Sequence, residues 1–179
     1  MLLLRIGAAA AFVITLIGGA TLLAARLSDG PIGPIAGGPF DSGEPYRGSE
    51  PDWRHLADRD TVEFQLVDPA RSRTTWILVQ DGRLFIPCGY MNTEWGRIWK
   101  RWPVEAEVDG RALLRVDGTL YRRQLRRVRS GPLLEPLVEE LNRKYAVGAT
   151  ADAVASGSLW LFELAPASES AGLAQPLRG

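Results

Sequence analysis

The sequence predicts a mainly β, α+β fold: a small antiparallel barrel with two short helices, carried behind one N-terminal transmembrane helix. Three observations predict it. Six or seven short segments alternate apolar and polar residues or are rich in β-branched and aromatic ones, the patterns of strands. Asp-Gly pairs at 81–82, 109–110 and 117–118 separate several of them, and Asp-Gly between strands is a strong hairpin signal. The run from Ile6 to Ala25 carries no charge, and about twenty apolar residues suffice to span a bilayer as a helix.

That first run is longer than the apolar region of a cleaved signal, about 7–15 residues, and Leu23-Ala24-Ala25 makes a poor cleavage site. An uncleaved anchor over 1–27 is therefore expected. The N-terminal amine and Arg5 precede the span, and Arg26 with Asp29 follows it. The positive-inside bias then slightly favours a cytoplasmic N-terminus, a single-pass membrane protein with its folded part outside the cytoplasm. Residues 28–52 are dense in Gly, Pro, Asp and Ser and read as a stiffened spacer, with Pro34, Ile35 and Phe40 as docking points. The barrel is expected over 53–165 and a disordered tail over 166–179.

Within the barrel, Trp53 to Asp58 reads as a helical turn. Thr61 to Val67 alternates, with Val62, Phe64 and Leu66 on one face. Asp68-Pro69 opens a turn. Thr74 to Gln80 reads as one strand and Arg83 to Cys88 as the next, across the Asp81-Gly82 hairpin. Asn92 or Thr93 would cap a helix from Glu94 to Trp102, stopped by Pro103. Trp95, Trp99 and Trp102 would share one face of it, with Arg97, Lys100 and Arg101 on the remainder. Val104 to Val108, Ala112 to Asp117 and Thr119 to Val128 read as three more strands, with Leu113, Val116 and Leu120 turned inward. The Arg122–Arg123 and Arg126–Arg127 pairs break the alternation and hint at a bulge. Pro132 to Tyr145 has helical spacing. Leu159 to Leu164 is continuously apolar, as in a strand buried on both faces.

Composition excludes several functions. Over 179 residues, 21 basic and 21 acidic side chains balance, so the chain carries no nucleic-acid signature. The stretch 83–129 holds eleven Lys/Arg against five acids; these are either solvated strand faces or a surface for an anion. One cysteine, Cys88, excludes an internal disulfide, and one histidine, His55, excludes the usual zinc sets. No metal site is expected. A Cys88–His55 nucleophilic pair is open by residue type alone, and no catalytic residue is assigned.

The run TTWILVQDGRLFIPCGY, followed by WKRWPVEAEVDGRALLRVDGTLYRRQLRRV, LNRKY and LWLFEL, resembles the split β-barrel family of flavin- and deazaflavin-binding proteins. That family includes pyridoxamine-phosphate-oxidase-like and deazaflavin-dependent nitroreductase-like members. Trp76, Asp81-Gly82, Lys100, Trp102-Pro103, Val116-Asp117-Gly118, Tyr121 and Lys144-Tyr145 occupy the matching places. Trp102-Pro103 departs from the usual Asn-Pro, and no Gly-Arg-x-Ser-Gly loop precedes the second strand. The resemblance implies a split β-barrel and a site for flavin mononucleotide (FMN) or a deazaflavin. It nominates Arg73, Thr74, Thr75, Lys100 and Arg101 for the phosphate, with Tyr90 or Trp102 stacked on the ring. It also implies an oxidoreductase acting on a quinone or another small acceptor. The competing expectation is a membrane-anchored envelope module with no cofactor and no catalysis, which binds a partner protein. A homodimer is left open.

Overall fold

In the computed structural model, residues 2–89, 91–92 and 101–167 are described, with the side chains of 2–5 and 8–10 excepted. Helix α1, Leu2–Arg26, leads the chain. Eight strands follow: β1 (Glu44–Pro45), β2 (Thr61–Leu66), β3 (Arg71–Trp76), β4 (Leu78–Gln80), β5 (Arg83–Cys88), β6 (Arg111–Val116), β7 (Thr119–Val128) and β8 (Trp160–Pro166). A 3-10 turn, Trp53–Leu56, precedes β2. Helix α2 (Trp102–Val108) lies between β5 and β6, and α3 (Leu134–Tyr145) and α4 (Ala151–Ala155) lie between β7 and β8.

The strands form a curled antiparallel half-barrel in the order β3-β2-β6-β7-β8-β5-β4. The ten-residue β7 links its two halves, because residues 119–124 pair with β6 and residues 123–128 pair with β8. β1 adds in parallel beside Thr119 and Leu120. β3 and β4 stand at opposite ends of the strand order, yet Ile77 alone separates them in the chain. The curl brings β3 against β5, so the sheet is joined at Ile77 and split beyond it.

The hairpin turns behave as their residues dictate. Asp81 and Asp117 have φ of 53° and 48°, and the glycines after them 70° and 78°. Two successive positive φ values make the type I′ turn whose twist fits a two-residue hairpin.

Two apolar layers hold the sheet. Inside the curl, Phe64, Leu66, Ile86, Leu114, Leu125, Phe162 and Leu164 pack with Trp53, Leu56 and Trp102. Outside it, Leu78, Phe85 and Leu161 meet Leu137, Val138 and Leu141 of α3 and Val154 of α4. Each such side chain contributes about 1.5–3 kcal/mol when fully buried. β5 and β8 feed both layers, which is why their sequences are apolar without alternation.

Several expectations change. Val104 to Val108 is helix α2, not a strand, and Pro103 opens that helix instead of ending the previous one. Proline suits a first helical turn, where its missing N–H costs nothing. Asp109-Gly110 is consequently the exit from α2, not a hairpin. Thr74 to Gln80 is two strands, broken at Ile77. Leu113 is only half-buried, whereas Ala112, Leu114 and Val116 are buried. β7 keeps a continuous register with both neighbours, so no bulge is needed: Arg123 points inward. Its side chain is 2% exposed and is paired with Glu50 at 2.8 Å. The helix expected over 94–102 falls outside the described residues up to position 100.

The stretch after α1 lies along the sheet as a strap. Gly37 N–H donates to Ser72 O and Ser72 N–H to Gly38 O. Phe40 N–H donates to Gln65 Oε1, and the Arg115 guanidinium lies 4.2 Å from the Phe40 ring centroid. Arg115 also pairs with Asp29 and Glu63, each at 2.8 Å. Among the described residues, no helix is long and apolar enough to cross a membrane. α1 itself exposes Phe12, Ile14, Ile17, Leu22 and Leu23. Pro166 still belongs to β8, and the rest of the expected tail, 168–179, lies outside the described residues.

Glu50 anchors the end of the strap, because it accepts both from Arg123 and from Trp53 Nε1 at 2.7 Å. Glu50→Ala leaves a buried guanidinium without its counter-ion and is expected to lower stability by about 3 kcal/mol in urea unfolding. Arg54→Ala, which removes an exposed pair with Asp52, is expected to cost under about 1 kcal/mol.

Candidate functional site

β3 ends the sheet, and only its first residues are covered by the strap. Thr74, Thr75 and Trp76 therefore border the split, with Pro87 and Cys88 at the end of β5 on the other side. Between them lies a cavity of about 710 Å³, lined also by Phe64 and Trp102 and by the loop Val147–Ala149. That size falls in the usual range for small-molecule and cofactor sites, about 300–1,000 Å³. Its walls are mostly apolar. Among the described residues, Arg73 is the only charged side chain that lines it.

The sheet register explains what reaches the cavity. Arg73 is opposite Phe64 and Thr75 opposite Val62, so these side chains point to the inner face. Thr74 is opposite Glu63 and points outward, where it also borders a polar groove with Arg59 and Arg115. Arg73 donates to the Arg71 carbonyl at 2.9 Å and faces Glu105 Oε2 at 3.7 Å. Burial pushes its pKa down to about 10; Glu105 opposes that shift, nearby Arg71 adds to it, and Cys88 opposes it. It therefore stays charged at neutral pH.

Trp102 is buried and forms part of the cavity floor, edge-on to Phe64 at 5.0 Å between centroids and 5.4 Å from Phe162. Its ring is a core element as well as a wall. Trp76, by contrast, is 44% exposed and stacks on Tyr145 at 4.4 Å and 6°. It offers an aromatic edge at the mouth.

Of the residues expected from sequence, Arg73, Thr74, Thr75 and Trp102 come together around this cavity. Arg101 does not: it is exposed, precedes α2, and its carbonyl caps the N–H groups of Val104 and Glu105. Tyr90 and Lys100 lie outside the described residues. Cys88 lines the cavity, but His55 is exposed on the 3-10 turn, held to Asp52 O at 2.9 Å, and does not line it.

Three contributors escaped the sequence reading. Trp76 was legible only as a strand residue. Glu105 lay in a segment read as strand. The Val147–Ala149 wall is set by Asn142, which donates to Ala149 O at 2.8 Å and accepts from Ala149 N at 2.6 Å; the only sequence signal was an Asn near a helix end.

The Lys144-Tyr145 pair serves the frame. Lys144 Nζ donates to Ile77 O at 3.0 Å and also to Arg59 O. The Tyr145 hydroxyl accepts from Ile77 N at 3.0 Å and lies 2.7 Å from Asp60 O and 2.8 Å from Ile77 O, to one of which it donates. Both residues thus satisfy backbone groups that the strand break at Ile77 leaves without sheet partners.

The chain is similar in shape to a protein described as "Putative Pyridoxamine 5'-phosphate oxidase" from Listeria innocua, with 12% identity and a TM-score of 0.44 over 63% of this chain and 88% of that one. It is also similar to a conserved hypothetical protein from Mycobacterium tuberculosis, with 14% identity and a TM-score of 0.39 over 66% and 82%. These likenesses concern strand arrangement alone. No protein-family model and no curated protein matches the chain.

Burial raises the Tyr145 pKa to about 12, above the unfolded value near 10. The neutral phenol favours the folded state, so stability present below pH 10 is expected to fall as pH rises from about 10 to about 12. Tyr145→Phe is expected to abolish that alkaline loss. It should also cost about 1–3 kcal/mol at pH 7 by leaving the Ile77 N–H unpaired. Denaturant unfolding at a series of pH values measures both.

Proposed function

We propose that the protein binds a phosphorylated planar cofactor, FMN or a deazaflavin, in the split between β3 and β5. The observation that carries this reading is the joining of one largely buried guanidinium, threonine hydroxyls and aromatic walls around one cavity of about 710 Å³. Arg73 supplies a charge-assisted donor for a phosphate. Thr75 and Thr74 add hydroxyl donors beside it. Trp76 and Trp102 bound the space that a ring system fills. The fit is favourable in size, in the sign of its one charge and in its apolar lining. A flavin bound there supplies hydride transfer to a small acceptor such as a quinone; the chain's own residues bind it, orient it and exclude water.

The reading places the domain at a membrane, held by α1, with the barrel outside the cytoplasm. Its support is the uncharged, apolar run Ile6–Ala25 of the sequence, in which the Phe12, Ile14, Ile17, Leu22 and Leu23 side chains are exposed. Thr15 and Thr21 donate to carbonyls one turn back, both at 2.9 Å, which removes the need for water around them.

Full-length protein in detergent is expected to bind FMN or the deazaflavin cofactor, seen as tryptophan quenching and a raised melting temperature. Arg73→Ala is expected to weaken that binding at least about tenfold, which is about 1.4 kcal/mol. No response to either cofactor contradicts the reading. Membranes washed with alkaline carbonate are expected to retain the protein; its release contradicts the anchor.

A further inference from the structure

Arg73 does not stand alone at its end of the cavity. Glu105, on α2, places Oε2 3.7 Å from the Arg73 guanidinium. That is within ion-pair range but outside the 2.7–3.2 Å of a hydrogen bond. This Oε2 is buried and has no hydrogen-bond partner among the described residues. Native structures leave few buried polar atoms in that state.

Arg71 lies on the same face of β3, two residues away, and its field and that of Glu105 both act on Arg73. Its Nε is likewise buried without a partner, while another of its nitrogens donates to Ala36 O at 3.2 Å. Arg26 adds its field at Arg71, so the one carboxylate stands among more than one guanidinium group and the cluster keeps a net positive charge. The carboxylate neutralises part of the field without forming the close forked contact that Arg and carboxylate prefer.

We propose that Glu105 is the resident counter-ion of the cavity's anion site: a phosphate ester displaces it from Arg73, and the positive charge that the guanidinium groups keep in excess of Glu105 favours a dianion over a monoanion. The inference rests on the phosphate-binding reading above and deepens it. Two features favour it. Glu105 holds Arg73 loosely, so the exchange breaks no formed hydrogen bond between them. A net positive charge attracts a dianion about twice as strongly as a monoanion at the same distance, because Coulomb energy scales with the product of the charges. A carboxylate ligand would only replace one carboxylate by another.

The test measures inorganic phosphate, acetate, FMN and riboflavin binding to full-length protein in detergent, by calorimetry and tryptophan fluorescence. Glu105→Gln keeps the side chain's shape and removes its charge. Phosphate and FMN are expected to bind about tenfold tighter to this variant, riboflavin no tighter, and wild type is expected to favour phosphate over acetate. The gain is expected to vanish in the Arg73→Gln, Glu105→Gln double variant. Unchanged or weaker phosphate binding by folded Glu105→Gln overturns the inference, as does phosphate binding by neither form. If FMN binds the wild type with an affinity that Glu105→Gln leaves unchanged, the cofactor reading stands and this inference falls. If Glu105→Gln tightens phosphate while neither form binds FMN, the counter-ion role stands and the flavin reading falls. Should Glu105→Gln fail to melt cooperatively, Glu105→Asp, which withdraws the carboxylate by one methylene, is expected to tighten phosphate in the same direction; no tightening there overturns the inference.

Discussion

The fold depends on how one residue, Ile77, is held. Its backbone leaves β3 and enters β4 at once, and these strands are the two ends of the sheet. A residue at such a corner cannot use both its N–H and C=O in one regular ladder. Ile77 is also fully buried, so water cannot serve instead. Lys144 and Tyr145 at the end of α3 supply the partners. The same clamp presses Tyr145 on Trp76 and seats α3 on the outer face of the sheet. Joining the ends at this one point lets the strands separate further along, and the cavity occupies that separation.

The cavity's chemistry follows from the curl. β3 is an edge strand whose inner face must meet the core at Val62 and Phe64, yet it places Arg73 there. A buried cation is tolerable only with a compensating charge. Glu105 on α2 provides it, at the cost of a carboxylate oxygen with no hydrogen-bond partner. Such an arrangement is suited to exchanging partners more than to static support. Arg123 makes the contrast. It is more deeply buried, 2% exposed against 16% for Arg73, but it has Glu50 at hydrogen-bonding distance and the Trp53 ring against it, and it fastens the strap.

What was legible in the sequence was what local rules decide. Asp81-Gly82 and Asp117-Gly118 gave hairpins because positive φ at two successive residues has few other outcomes. Val62, Phe64 and Leu66 gave one face of β2 because every second residue is apolar. The run VEAEV misled for the same reason: it alternates like a strand, but Pro103 begins a helix there, and Ala106 goes in with Trp102 while Val104 and Val108 stay exposed. RALLRV has adjacent leucines, so only pairing of Leu114 with Phe64 decides which points inward. Arg73, Thr74 and Thr75 were found through a family resemblance and do meet at the cavity. Glu105 and Trp76 were not found as site residues, because their places depend on the curl that brings distant edges together.

The central claim is that the split between β3 and β5 is where a ligand enters. Hydrogen–deuterium exchange of the full-length protein with and without FMN tests it most directly. The account predicts slower exchange in peptides covering 73–76, 87–89 and 147–149, with β6 and the first half of β7 unchanged. Protection confined to other segments, or no protection at saturating FMN, contradicts it.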